Sequence, residues 1–347
     1  MPAKPLLSTV LRAAGVALVA LAPSQTRPNA ARRRPSALAA QLRSWFDSAT
    51  PAELAEAGSD IDWARIIPFV GVHLGCLAVI RVGTSPAALS VALALYAVRM
   101  FAVTGFYHRY FSHRSFKTSR TSQLVFGVLG ASAVQRGPLW WAAHHRHHHA
   151  HSDAPADIHS PRQRGFLWSH MGWFLSRRHF VPDLGRVRDL MRYPELRWLD
   201  RFDIVVPVGL AIGVFLLGWA LEGTSPGLKT NRWQMLVWGF FVSTVLCYHA
   251  TYTINSLSHV FGRRRYGTPD DSRNNALLAF LTFGEGWHNN HHHYPNAARQ
   301  GFYWWEVDLT YYLLRVLALT GIIWDLKPVP LAVRDDHCRR EPEDPRR

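Results

Sequence analysis

The stretch "WWAAHHRHHHAHSD", residues 140–153, carries six histidines in eight consecutive positions. Imidazole at that density either binds a metal through its ring nitrogens or forms a solvated tract that captures ions without order. Two further clusters favour a built site: "HRYFSH" at 108–113 and "HNNHHH" at 288–293. On a helix His145, His148 and His149 fall within an arc of roughly 100°, because positions i, i+3 and i+4 share a face, and His288, His291 and His292 repeat that spacing. His108 and His113, five apart, stand about 140° from each other on an ideal helix, so they are expected to straddle a helix end. His259, in "NSLSHV", adds one more location.

These nine imidazoles exceed the six donors of an octahedral ion and the four that zinc prefers, so the count implies two metal ions. Adjacent rings such as His148 and His149 diverge, which lets each serve a different ion. His73, His249 and His337 read as ordinary histidines, and His144, His147, His151 and His293 as spare members of the clusters. Nothing in the sequence assigns work to His159, His170 or His179.

Distant clusters meet only if the elements between them deliver them to one surface. Four apolar stretches approach the ~20 residues that cross about 30 Å of hydrocarbon: roughly Ile66 to Ile80, Ala87 to Tyr107, Ile204 to Leu221 and Trp233 to Ile254. Short connections, "RVGTSP" and "EGTSPGLKTN", join them in pairs. The two long segments, between the second and third stretches and after the fourth, hold most of the Arg and Lys and must face one side, which the positive-inside rule makes cytoplasmic. Membrane topology thus accounts for the formal charge of +15 without nucleic acid.

Within those segments "SQLVFGVLGASAVQ" and "NNALLAFLTFG" are too short to cross and read as buried or interfacial helices. The run 302–323, "FYWWEVDLTYYLLRVLALTGII", is interrupted by Glu306, Asp308 and Arg315 and reads as an interfacial helix. Residues 1–60, rich in Ala, Pro, Ser and Arg, read as a basic, disordered extension. Its start imitates a signal peptide, but Arg12 lies close to the short apolar run. The expected organisation is an N-terminal extension, a membrane domain over 61–328 and a polar tail over 329–347. The expected fold class is an all-α integral membrane protein, with both termini and the histidine clusters cytoplasmic.

Cysteine adds nothing to the metal chemistry. Cys76, Cys247 and Cys338 lie far apart without CxxC spacing, which excludes a thiolate zinc site, a cysteine-ligated iron–sulfur cluster and a disulfide framework. Nor is there a dinucleotide fingerprint or a haem-binding domain, so any electrons come from a separate carrier, and a basic face would attract an acidic one.

The motifs "HRYFSH", "HRHHH", "GFLWSHMGW", "NSLSHVFG" and "GEGWHNNHH" occur in the order and spacing of a known family. From about residue 64 to 328 the chain resembles the membrane fatty acyl desaturases of the stearoyl-CoA Δ9 type. The resemblance implies four transmembrane helices and a cytoplasmic helical cap with a histidine-ligated di-iron site, zinc being able to take iron's place in purified protein. It carries over His108, His113, His145, His148, His149, His259, His288, His291 and His292 as ligands, and Asn255 as a position reaching one metal through water. It also implies O2 as co-substrate, a ferredoxin or cytochrome b5-like donor with its reductase, and a bacterial inner-membrane location. Arg177 and Arg178 match a basic pair facing the phosphates of CoA. Ala143 and His144 stand where animal enzymes carry an Arg-Asp pair for the CoA head group, which admits acyl-lipid as an alternative, but the basic pair keeps acyl-CoA as the first reading of the substrate.

Dehydrogenating an unactivated methylene needs a metal pair and O2, since acid–base side chains cannot do it. The clusters contain no Glu-x-x-His pair of the soluble di-iron proteins, so carboxylates are expected behind the imidazoles, with Asp153, Asp157, Glu285 and Asp308 as candidates. The acyl chain needs a narrow apolar tunnel. Trp140, Trp141, Trp168 and Trp173 are candidates for its lining, and Tyr96, about 18 Å along a helix from His108, is expected to limit chain length. The rival readings are a di-iron hydroxylase of lipids or alkanes, and a metal-binding or metal-transporting membrane protein. The latter would place its ligands at mid-bilayer.

Overall fold

The computed structural model describes residues 45–48, 58–63 and 66–336, and the rest of the expected N-terminal extension and C-terminal tail lies outside the described residues. The principal helices are numbered here in chain order: α1 Ile67–Val82, α2 Pro86–Ser112, α3 Arg120–Ala131, α4 Pro138–His151, α5 Pro194–Arg201, α6 Val205–Thr224, α7 Arg232–His259, α8 Ala276–Leu281, α9 His288–His293 and α10 Leu309–Leu319.

Among the described residues three helices are long and apolar enough to cross a membrane: α2, α6 and α7. The first expected span is shorter. It is built from Ile67–Cys76 and Val79–Val82 with a turn between them, and at 1.5 Å per residue it reaches only about 24 Å. Local chemistry sets the helix starts. Ser85 caps α2 by accepting from the Ala88 N–H, with Pro86 in the first turn, and Asn231 caps α7 by accepting from the Trp233 and Gln234 N–H groups. Helix α7 packs against α1, α2 and α6. The outward faces stay apolar, with Leu74 and Ile80 on α1, Leu93 on α2 and Ile212 and Trp219 on α6 exposed. Bare apolar stripes of this size are what a lipid solvent covers.

A second, more polar layer covers the ends of α2 and α7. Its core joins Phe106 and Phe111 of α2 to Phe126 of α3, Leu139 of α4, Leu196 of α5 and Leu314 of α10. Phe106 and Phe126 stack at 3.8 Å between centroids. The half-buried Asp200 of α5 accepts from the Leu139 and Trp140 N–H groups at 2.9 and 2.8 Å, which caps α4 from outside the helix. Burial pushes the Asp200 carboxyl up to about 6. A Cβ on Gly137 would lie 2.3 Å from the Asp200 carboxylate, so only glycine permits that approach. Lys117–Thr118 (β1) and Ile323–Trp324 (β2) form a small antiparallel ladder, Lys117 opposite Trp324, tying the exit of α2 to the exit of α10.

The expected interfacial helix over 302–323 is corrected to α10 alone. Glu306 and Asp308 are buried, and a buried acid needs partners that a continuous helix would not present. Glu306 pairs with Arg265. Asp308 caps α10 through the Tyr311 N–H at 2.9 Å and pairs with Arg109 at 3.0 Å.

Candidate metal centre

The three sequence clusters and His259 converge on one region and divide into two groups. His108, His113, His145, His149 and His291 form one, and His148, His259, His288 and His292 the other; within each, the donor nitrogens lie within 4.8 Å of one another. Adjacent residues separate as the helix geometry requires, with His148 and His149 in different groups, and likewise His291 and His292. His108 lies within α2 and His113 is its C-cap, so the pair straddles the helix end as expected. The last part of α2, Ala102–Ser112, is wound as a π-helix, and the His113 N–H donates to the His108 carbonyl at 3.2 Å. An i→i+5 bond closes a turn in about five residues, so both rings point the same way.

Nε2 faces Nε2 throughout: 3.0 Å for His108 and His291, 2.7 Å for His113 and His145, 2.9 Å for His291 and His149, and 3.1 Å for His259 and His288. The other nitrogen explains why this needs a cation. Nδ1 of His148 lies 3.1 Å from Asp157, that of His259 2.8 Å from Asp153, that of His292 2.7 Å from Asp270, and that of His108 2.5 Å from Glu285. A ring donating Nδ1–H to a carboxylate presents a lone pair at Nε2. Nε2 of His148 and of His292 is buried with no hydrogen-bond partner among the described residues. Converging lone pairs in a buried site repel unless a positive ion lies between them, so the residues fit two metal ions.

Burial favours the neutral form of six of the nine rings. Desolvation lowers His113, His145, His149, His288 and His291 well below the ordinary histidine value and His292 to about 4. His148 is raised, because Asp157 outweighs the effect of burial. Burial acts to raise Asp153, Asp157 and Asp270, yet their histidine partners hold all three below the usual carboxylate range.

Of the four acids expected behind the rings, Asp153, Asp157 and Glu285 are there. Asp308 instead supports Arg109, which also meets Glu285 at 3.1 Å. Asp270 was missed; its only sequence signal is the acidic pair in "TPDDS". The spare histidines have other partners: His144 donates Nε2–H to the His179 carbonyl at 2.6 Å, His147 faces the Ala156 carbonyl at 2.9 Å, and His293 stacks on Tyr266 at 4.0 Å. His159 is buried against His148, 4.2 Å between centroids, and borders the cavity described next.

An apolar cavity of about 240 Å³ leads to the histidines from the starts of α1 and α6, past Phe69, Trp140, Trp173, Phe174 and Tyr252. A smaller one of about 40 Å³ continues beyond them to Met100, Val103 and Thr104. Trp141, His145, Thr251 and Asn255 border both. The Asn255 carbonyl accepts from Ser169 Oγ at 2.8 Å. Tyr96, expected to end the tunnel, lines neither cavity. Its hydroxyl donates to the Leu281 carbonyl at 2.6 Å, and its ring packs behind Met100. Trp168 also stands apart, donating Nε1–H to the Ile158 carbonyl at 3.0 Å. Arg177 and Arg178 are exposed and follow Ser176, which borders the larger cavity, without lining it themselves.

Residues 84–323 match the sequence model of the fatty acid desaturase family. The chain is 37% identical over 270 residues to an sn-1 stearoyl-lipid 9-desaturase of Anabaena variabilis, covering 77% of this chain and 94% of that protein. It is 36% identical over 270 residues to Delta-9 acyl-lipid desaturase 1 of Arabidopsis thaliana, covering 77% and 84% of the two. With an acyl-CoA 5-desaturase of Anemone leveillei the identity is 35% over 270 residues, covering 77% and 79%.

Proposed function

Because the chain belongs to the fatty acid desaturase family, oxidoreductases of acyl chains, we propose that it inserts a cis double bond at position 9 of a saturated acyl chain carried by CoA or by a lipid. The observation that carries this reading is the convergence of nine imidazoles, in groups of five and four, where two apolar cavities meet. The metal is iron, two ions per chain, which when bound reduces O2 and supplies an oxidant strong enough for an unactivated methylene. Overall, two hydrogens leave neighbouring carbons, O2 ends as two waters, and two electrons and two protons enter from outside.

The chain's own residues bind, aim and dry the substrate. Trp140, Trp173, Phe174 and Tyr252 give the proximal half of the acyl chain an apolar wall, and Met100 and Val103 receive the methyl end. At the junction Gln135 donates to Thr251 Oγ1 at 3.0 Å, holding the wall that faces Trp141 and His145. The carbons crossing that junction lie beneath the histidines, so the mouth-to-junction distance sets the bond position. Met100 and Val103, with Tyr96 behind them, set the depth. Asn255, which borders both cavities, would reach one metal through water, and the exposed Arg177–Arg178 pair next to Ser176 suits the phosphates of CoA or of a phospholipid.

The apolar helices support a bilayer location, with α1 as a fourth, short span and the histidine-bearing layer as a cap on the cytoplasmic side of a bacterial inner membrane. Exposed Arg162, Arg164, Arg188, Arg192 and Arg263 give that side a basic face for an acidic ferredoxin or cytochrome b5-like donor. The test is lipid analysis of a desaturase-deficient host expressing the chain. New chains two mass units lighter, unsaturated at carbon 9, are expected; alcohols sixteen units heavier would overturn the reading.

A further inference from the structure

The two histidine groups differ in what stands behind the rings. In the group of four, three rings are backed by aspartate: His148 by Asp157, His259 by Asp153 and His292 by Asp270. The other partners of these aspartates are neutral hydroxyls or backbone N–H groups, such as Ser160 Oγ and the Asp271 N–H on Asp153, and the Ser272 N–H on Asp270. In the group of five, among the described residues, only His108 has a carboxylate, Glu285, which also pairs with Arg109 at 3.1 Å and accepts from Gln300 at 2.9 Å. Nδ1 of His291 is buried with no partner among the described residues, as is Nδ1 of His288 in the group of four.

An imidazole whose Nδ1–H faces a carboxylate is a more basic donor at Nε2 and is held in the binding tautomer; loss of one such partner costs about 10- to 100-fold in metal affinity. Three unshared anions also neutralise a bound dication in a buried site, where charge is weakly screened. One anion tied to a guanidinium does so far less. The group of five offers one more ring, but its rings lack this support.

We infer that the two metal positions are unequal: the position of His148, His259, His288 and His292 binds a divalent transition metal more tightly and keeps it when metal is scarce. Asp153, Asp157 and Asp270 are the positioning residues that make it so. The inference rests on the two-metal reading above.

The experiment is chelator titration of the purified, zinc-loaded full-length protein, with retained zinc per chain read by elemental analysis. Two phases are expected, one equivalent leaving at roughly 10- to 100-fold lower chelator than the other. Asp270→Asn and Asp157→Asn, on different loops, each move the tight phase by about 10-fold and leave the weak one, and Asp270→Glu restores it. Glu285→Gln moves only the weak phase. Release of both equivalents in one phase overturns the inference and leaves the two-metal reading standing, as does a tight phase that responds to Glu285→Gln and ignores both aspartates. A folded chain that binds no zinc overturns the two-metal reading, and this inference with it.

Discussion

Histidines gather in two regions of this molecule, and the two use the same side chain in opposite ways. In the first, nine rings aim Nε2 at shared points, and four of them rest Nδ1 on a carboxylate. In the second, His73 of α1, His249 of α7 and His170 form a ladder. Nδ1 of His73 donates to the Phe69 carbonyl at 2.8 Å, Nε2 of His73 meets Nε2 of His249 at 3.3 Å, Nδ1 of His249 meets Nε2 of His170 at 3.0 Å, and Nδ1 of His170 meets Ser256 Oγ at 3.0 Å. Each ladder ring spends both nitrogens on hydrogen bonds, so three neutral rings satisfy it without an ion. The difference teaches that histidine density does not mark a metal site. Nitrogens that converge in groups of four or five, with anions behind them, do.

That contrast can be broken by experiment. The largest effect is expected from His148→Ala, which should remove metal from the group of four and reduce new unsaturation to background, read by elemental analysis and lipid profile; retained activity would dissolve the distinction. Next is acid. The rings of His113, His145, His149, His288 and His291 have lowered pKa values, so the unfolded chain takes up protons first. Stability of the metal-free protein should therefore fall as the pH drops from about 6.5 toward about 4, where His292 also titrates. Thermal melts across that range check the sign, and a rise in stability on acidification would contradict it. A smaller change is expected from Met100→Ala, which deepens the second cavity and should shift products toward longer chains at unchanged metal content. Unchanged chain lengths would remove Met100 from the floor. The smallest effect belongs to the ladder: His249→Phe should keep both metals and activity and lower stability by only about 1 kcal/mol.

Much of the centre was legible because it is local. The 100° step of a helix puts His145 with His149 and sends His148 elsewhere, and nothing distant alters that. What escaped the sequence depends on tertiary contact. The π-winding that unites His108 and His113 has no propensity signal in "AVTGFYHRYFS", and arises where α2 leaves its helical partners for the polar layer. Asp270 reaches His292 from a loop whose residues look like any solvated turn, while Asp308, equally plausible on paper, is drawn to Arg109. Tyr96 fits the arithmetic of helix length, but its place behind Met100, which itself lines the second cavity, is set by tertiary packing and by its bond to the Leu281 carbonyl.

The proposed centre holds two irons on imidazole ligands, with no carboxylate bound to either. X-ray absorption and iron content of the iron-loaded protein test this directly: two irons per chain with imidazole-dominated scattering and no sulfur are predicted, whereas a single iron, or irons bridged by carboxylates, would contradict it.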